Sequence, residues 1–220
     1  MASGPLSPNN RNGARKKSRA PKLWLCADFF SFLRLLARNG FAIGPRQLPW
    51  LLPILLVTFR NTCLGYLQTL VWGKRVKEAR IVHDPLFIIG HWRSGTTWLH
   101  ELLTLDPRHN YPTTYQCFFP THFLLTEWYL SRWLRFLLPD VRPMDSVRLG
   151  WDRPQEDEFA LCHLGQPSPY LTAAFPNRPP QYPEYFDLES LPPKALTQWK
   201  QCFVRFLKQI TVRDRRRIVL

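Results

Sequence analysis

An unbroken membrane span needs about 20 consecutive apolar residues. This chain does not supply one, because Arg34, Arg38, Arg46 and Arg60 interrupt every window of its apolar N-terminal third. The pattern is not that of a cleavable leader either: the apolar stretches come late and no small-residue cleavage site follows. Cysteine is sparse, with 5 residues and no C-x-x-C pair, so neither a disulfide framework nor zinc-ligand spacing is legible. Cys26, Cys63, Cys117, Cys162 and Cys202 read as free thiols of a reducing compartment, in a cytoplasmic or membrane-associated protein. Acids are outnumbered, 16 against 30 Lys and Arg, leaving a formal charge of +14. Such a surface favours anions: a phosphorylated cofactor, nucleic acid, or an acidic membrane. No specific nucleic-acid motif and no internal repeat accompany it.

What is present is apolar and aromatic. Hydrophobic residues make up 45 % of the 220 residues and aromatic ones 14 %, with 9 Trp. That suffices for one packed domain plus an extension. Residues 1–22 carry Arg11, Arg15, Lys16, Lys17, Arg19 and Lys22 without an acid, the composition of a disordered basic tail. Residues 23–79 read as an apolar helical extension. Its first part, 23–37, has helical spacing; its second, 48–57, is more apolar and holds Pro49 and Pro53. The interrupting arginines make these interfacial or domain-packing helices, with a membrane surface as a possible partner.

The catalytic-type part is 80–220. Leu86 to Ile89 reads as a buried strand. It runs into a loop bounded by Gly90 and Gly95, and a helix follows from about Thr96, carrying Trp98, Leu99, Leu102 and Leu103. A second helix is expected over 123–138, with an aromatic stripe of Trp128, Tyr129 and Trp133 that reads as core first and as an acceptor-groove wall second. A third is expected to open at Asp152, with Pro154 in its first turn and Glu156, Asp157 and Glu158 against its dipole. Residues 167–193 read as a Pro-rich covering loop. A long amphipathic helix then spans 196–210, and 217–220 begins another strand. The order implies an α/β fold with a mostly parallel sheet.

Strand, glycine-bounded loop and helix together make a phosphate cradle, because loop amides converge where the helix N-terminus is partially positive. The spacing Gly90, Gly95 and Thr97 is that of G-x-x-x-x-G-K-[ST], but Thr96 replaces the lysine that clamps β- and γ-phosphates. The cation has moved into the loop as Arg93, whose guanidinium can fork onto phosphate or sulfate oxygens. This points to a nucleotide with a short 5′ anion and no demand for Mg²⁺ or any other metal.

At Arg93-Ser94-Gly95-Thr96-Thr97 the chain resembles the sulfotransferases, whose 5′-phosphosulfate loop reads Pro-[Lys/Arg]-Ser-Gly-Thr-Thr; Trp92 stands in the usual proline's place. The resemblance extends over Asp106-Pro107, residues 111–116 and residues 154–159, and is to the broad bacterial-type group. It implies a P-loop-like three-layer fold, incomplete at the C-terminus, as in a truncated form or fragment. It implies 3′-phosphoadenosine 5′-phosphosulfate as donor and a small-molecule, lipid or carbohydrate acceptor. Arg93 then stabilises charge on the leaving phosphate, Ser94, Gly95, Thr96 and Thr97 hold the 5′-phosphate, and Trp98 matches a tryptophan that stacks on adenine in some relatives.

The base does not carry over. The place of the Golgi tyrosylprotein enzymes' Glu pair falls on Thr113 and Thr114, and that of the cytosolic enzymes' His falls near 154–156. Glu156 is the candidate, with Glu158 and Asp157 as alternates, since adjacent acids can raise one another's pKa. His91, His100, His109, His122 and His163 lack a paired acid at informative spacing and read as structural or surface residues. Tyr115 to Phe119 and Trp128 to Trp133 suggest an apolar acceptor groove. Two rivals remain: a P-loop kinase or NTPase, and a non-catalytic basic scaffold at a membrane.

Overall fold

A computed structural model of the chain describes residues 23–91, 94–138 and 147–220. The basic tail 1–22, Trp92, Arg93 and residues 139–146 lie outside the described residues. A short 3-10 turn, Leu23–Cys26, leads into α1 (Phe29–Arg38), whose Asp28 side chain accepts from the Phe30 and Ser31 amides at 3.0 Å each. Helix α2 runs over Leu48–Glu78. It therefore continues 21 residues past Val57, where the sequence reading ends, and both Pro53 and Arg60 lie inside it. Pro53 sits early in the helix, with Pro49 in its first turn, where few carbonyl partners are lost.

The sheet is small and parallel. Strands β1 (His109–Asn110) and β2 (Arg217–Ile218) pair with His109 opposite Arg217 and Asn110 opposite Ile218. Residues 86–88 run along the other edge of the 217–220 segment: Leu86 N–H donates to Ile218 O at 2.8 Å, Leu220 N–H to Leu86 O at 2.9 Å, and Ile88 N–H to Leu220 O at 2.8 Å. The C-terminal segment is thus central, and Ile218, Val219 and Leu220 are buried. The expectation that residues 86–89 form a buried strand is corrected. They are an edge bonded on one side, Phe87 is exposed and Ile89 is 93 % exposed, because no layer covers them among the described residues.

The remaining helices, α3 (Thr96–Leu103), α4 (Thr114–Phe118), α5 (Phe123–Trp133), α6 (Asp157–His163) and α7 (Pro193–Arg213), surround one main core. Tyr115, Phe119, Phe123, Trp151, Phe206 and Ile210 form its centre. In α7 Phe206, Leu207 and Ile210 fall on one helical face and are buried, the ordinary amphipathic arrangement. Tyr115 and Phe119, read as groove wall, are core instead, while Trp128 and Trp133 face solvent. The α4–α5 turn directs the first pair inward.

The third predicted helix starts late. Residues 152–156 are held extended by Thr114 N–H to Arg153 O at 2.8 Å and Gln155 N–H to Pro112 O at 3.0 Å, with an antiparallel bridge between Thr113 and Pro154. Asp152 therefore caps nothing, and α6 begins at Asp157 with Glu156 as its N-cap. Between α6 and α7 the chain is irregular except for two 3-10 turns, Pro169–Ala174 and Pro183–Tyr185.

Candidate functional site

The loop closes tightly for reasons that reside in its glycines. A Cβ at Gly90 would lie 2.7 Å from Thr96 Cγ2 and 2.9 Å from Ser94 Oγ, so only hydrogen fits where the loop doubles back on its helix. Gly95 has φ of +95°, left-handed backbone that other residues adopt only under strain. It is the N-cap of α3 and supplies no side chain, so among the described residues no side chain caps the first-turn amides of Thr96, Thr97 and Trp98. Those are the amides a helix cannot satisfy internally. Ser94 turns both its N–H and its hydroxyl onto His91 O, at 3.1 and 2.5 Å, which pins the loop. Trp98 is 67 % exposed and so available to a ligand rather than packed in the core, the other place a tryptophan after such a turn can take.

The loop helix and the acidic segment are brought together. Arg153 Nη1 lies 3.1 Å from Glu101 Oε2, one turn into α3. On the same helix His100 is buried beside the Val219 backbone; burial holds its pKa below the ordinary imidazole value, and the nearby Glu156 charge opposes that shift. His100 Nε2 is buried with no hydrogen-bond partner. Sequence reasoning set this histidine aside. The signal for it was its place four residues after Thr96, on the same helical face. Three other described histidines have structural partners: His109 Nδ1 lies 3.0 Å from Leu103 O, His122 Nδ1 lies 2.8 Å from Thr126 Oγ1, and His163 Nδ1 lies 2.9 Å from Cys117 O.

The three acids have different surroundings. Glu156 is exposed and its Oε2 accepts from the Tyr170 hydroxyl at 2.6 Å. Asp157 is raised to about 6, first by burial and then by the Glu156 charge. Glu158 is raised to about 7, again by burial first, with Asp157 and Glu156 adding and a Ser168 hydrogen bond opposing. Desolvation therefore outweighs the mutual repulsion the sequence suggested. Arg93 lies outside the described residues, so its side chain is not placed. Among the described residues no group of three or more His, Cys, Asp or Glu could hold a metal ion. A groove of about 680 Å³ behind Arg153 is lined by Arg132, Arg135 and Arg148 together with Glu127 and Asp152, so cations outnumber acids there.

Residues 85–157, from the edge segment to the first residue of α6, match the sequence profile of the sulfotransferase family. The chain is also similar to omega-hydroxy-beta-dihydromenaquinone-9 sulfotransferase Stf3 of Mycobacterium bovis and of Mycobacterium tuberculosis. Each is 47 % identical over 207 residues, covering 94 % of this chain and 53 % of the relative. The chain thus spans about half the length of those relatives. No solved structure gives a significant match.

Proposed function

We propose that this chain is a member of the sulfotransferase family, binds 3′-phosphoadenosine 5′-phosphosulfate at the Gly90–Thr97 turn and serves transfer of its sulfuryl group to an acceptor hydroxyl or amine. The observation that carries the reading is the turn itself. Its two glycines are demanded by close approach and by positive φ, and it delivers amides that no described side chain caps at the start of α3. Such a cradle fits one 5′ anion, and Thr96 in place of lysine suits a donor without a γ-phosphate. The relatives support the same chemistry, and their name suggests a hydroxylated apolar lipid as the acceptor class. The P-loop-like three-layer architecture belongs to this proposal; the small parallel sheet is compatible with it.

The donor supplies an SO₃ unit on a phosphate leaving group. The S–O bond to that phosphate breaks as a new S–O bond forms to the acceptor, through a loose transition state like that of phosphoryl transfer. Arg93 stabilises the charge gathering on the leaving phosphate. Ser94 to Thr97 hold the 5′ end, and Trp98, exposed beside the turn, stacks on the base. Glu156 takes the acceptor proton. It is exposed, oriented by Tyr170, and close enough to α3 for its charge to act on His100. Glu158, raised to about 7 but turned toward Ser168, is the alternate.

A sulfate-transfer assay with labelled donor and a hydroxylated lipid tests this. Glu156→Gln is expected to lose about 10²-fold or more in kcat, the size of a general-base contribution. Wild-type turnover in Glu156→Gln with loss in Glu158→Gln would move the base to Glu158.

A further inference from the structure

Helix α2 is inside out. Of the five residues it buries, three are polar: Thr58, Asn61 and Gln68, with Ile54 and Val76. Asn61 and Gln68, with the half-buried Thr62 beside them, are bonded into the body of the protein, while Thr58 bonds the Leu55 carbonyl of its own helix at 3.0 Å. Asn61 Nδ2 donates to Leu25 O and Ala27 O at 3.1 Å each, Gln68 Oε1 accepts from the Leu124 amide at 2.7 Å, and Thr62 Oγ1 accepts from the Phe29 amide at 2.9 Å. The face turned away from the protein is the apolar one. At 100° per residue, Leu52, Leu56, Phe59, Cys63, Leu67 and Leu70 form one line opposite the buried stripe, and all six are exposed. Leu70 is 83 % exposed. The line is about 27 Å long at 1.5 Å per residue. Phe29 and Phe30 widen it through edge contacts, with ring centroids 6.0 Å from Phe59 to Phe29 and 5.6 Å from Phe29 to Phe30.

We infer that this ridge is a membrane-docking face, on which α2 lies flat in the interface of an anionic bilayer. Charge selects the occupant. The same line continues into Lys74 and Lys77, at the edge of a groove of about 710 Å³ between α2 and α7 that also holds Lys200, Arg205 and Lys208 and has no acid in its lining. Anionic headgroups complement a row of cations at one end of an apolar strip. A second copy of the chain would bring another +14 surface against it. Pro45–Glu78 is, among the described residues, the one helix long and apolar enough to cross a bilayer, which corrects the expectation that its arginines rule out a span: Arg60 alone does not lower the helix's apolar character enough. Its polar stripe is bonded to the protein at Asn61, Thr62 and Gln68, however, so the helix lies on the surface rather than through it. The inference is independent of the sulfuryl-transfer reading, because no residue of the turn takes part.

Cys63 makes the test direct: it lies in the middle of the ridge, and it is the one exposed cysteine among the described residues. In a Cys202→Ser background, Cys63 carries an environment-sensitive thiol dye. With vesicles of phosphatidylglycerol and phosphatidylcholine, its emission is expected to rise several-fold and to be quenched by lipids bearing a shallow spin label. In flotation of unlabelled, folded protein, Leu56→Glu with Leu70→Glu is expected to weaken partitioning about 10-fold or more through lost apolar insertion. Lys74→Glu with Lys77→Glu is expected to remove about 10-fold of the preference for anionic over neutral vesicles. No flotation with either vesicle, or flotation indifferent to the two leucine changes, overturns the inference. So does a dye signal that rises with protein concentration alone, which would assign the ridge to a second copy.

Discussion

The interior around α4, α5 and α6 and the exposed edge from residue 86 through α3 answer to different demands. In the interior, buried polar groups are knitted together: Tyr115 OH and Thr126 Oγ1 lie 2.8 Å apart, and the same Thr126 oxygen lies 2.8 Å from His122 Nδ1. Burial there outweighs every other influence on titration, holding His122 at about 3 and therefore neutral. Along the edge, Phe87, Ile89, Trp98, Leu99 and Leu102 are exposed, and the first amides of α3 lack a side-chain cap among the described residues. One region is saturated and specifies the fold. The other keeps unmet groups aimed outward, the condition for binding an anion. Substitutions should separate the two, stability from one and turnover from the other.

The largest separation is expected at Phe206, fully buried against Phe123 at 6.4 Å between ring centroids. Phe206→Ala should cost about 3–5 kcal/mol by emptying the core, read as a drop in the denaturant midpoint. Arg93→Ala should do the reverse, losing roughly 10² or more in kcat while the denaturation curve stays in place. Loss of stability in Arg93→Ala, or unchanged turnover, would erase the contrast.

Glu158 sharpens it on the interior side. Its folded pKa of about 7 lies above the ordinary carboxyl value near 4.5, so the native state holds a proton that the unfolded state releases between them. Stability is then full below about pH 4.5 and falls as pH rises through about 7. Glu158→Gln should flatten that decline and leave the variant more stable above pH 7 by about 2 kcal/mol, or several degrees in Tm. A wild-type Tm that climbs with pH across this window would contradict the buried placement. The smallest effect is expected at Trp98. Trp98→Ala should weaken adenine-nucleotide binding about 10-fold, the size of one lost base stack, with no change in Tm.

The sequence discloses local features and conceals those set by distant partners. The turn, the start of α3, the face of α7 and the strand at 217 follow from glycine spacing and apolar periodicity, and the structure has them. The start of α6 does not follow, because the pairing of Thr113 with Pro154 that keeps residues 152–156 extended joins segments about 40 residues apart. The α2 ridge is hidden for a related reason. The sequence leaves the helix as either interfacial or domain-packing, and only the bonding of Asn61 and Gln68 into the body reveals which face points out. His100 escaped because its neighbours Val219 and Glu156 come from remote parts of the chain.

The most direct measurement is a calorimetric titration of this chain with 3′-phosphoadenosine 5′-phosphate, set beside Mg-ATP and repeated on Arg93→Ala. Saturable 1:1 binding of the bisphosphate, sharply weakened by the substitution and without a comparable Mg-ATP isotherm, is the predicted result. A flat trace for the bisphosphate with folded protein, or preferential binding of Mg-ATP, would contradict the account.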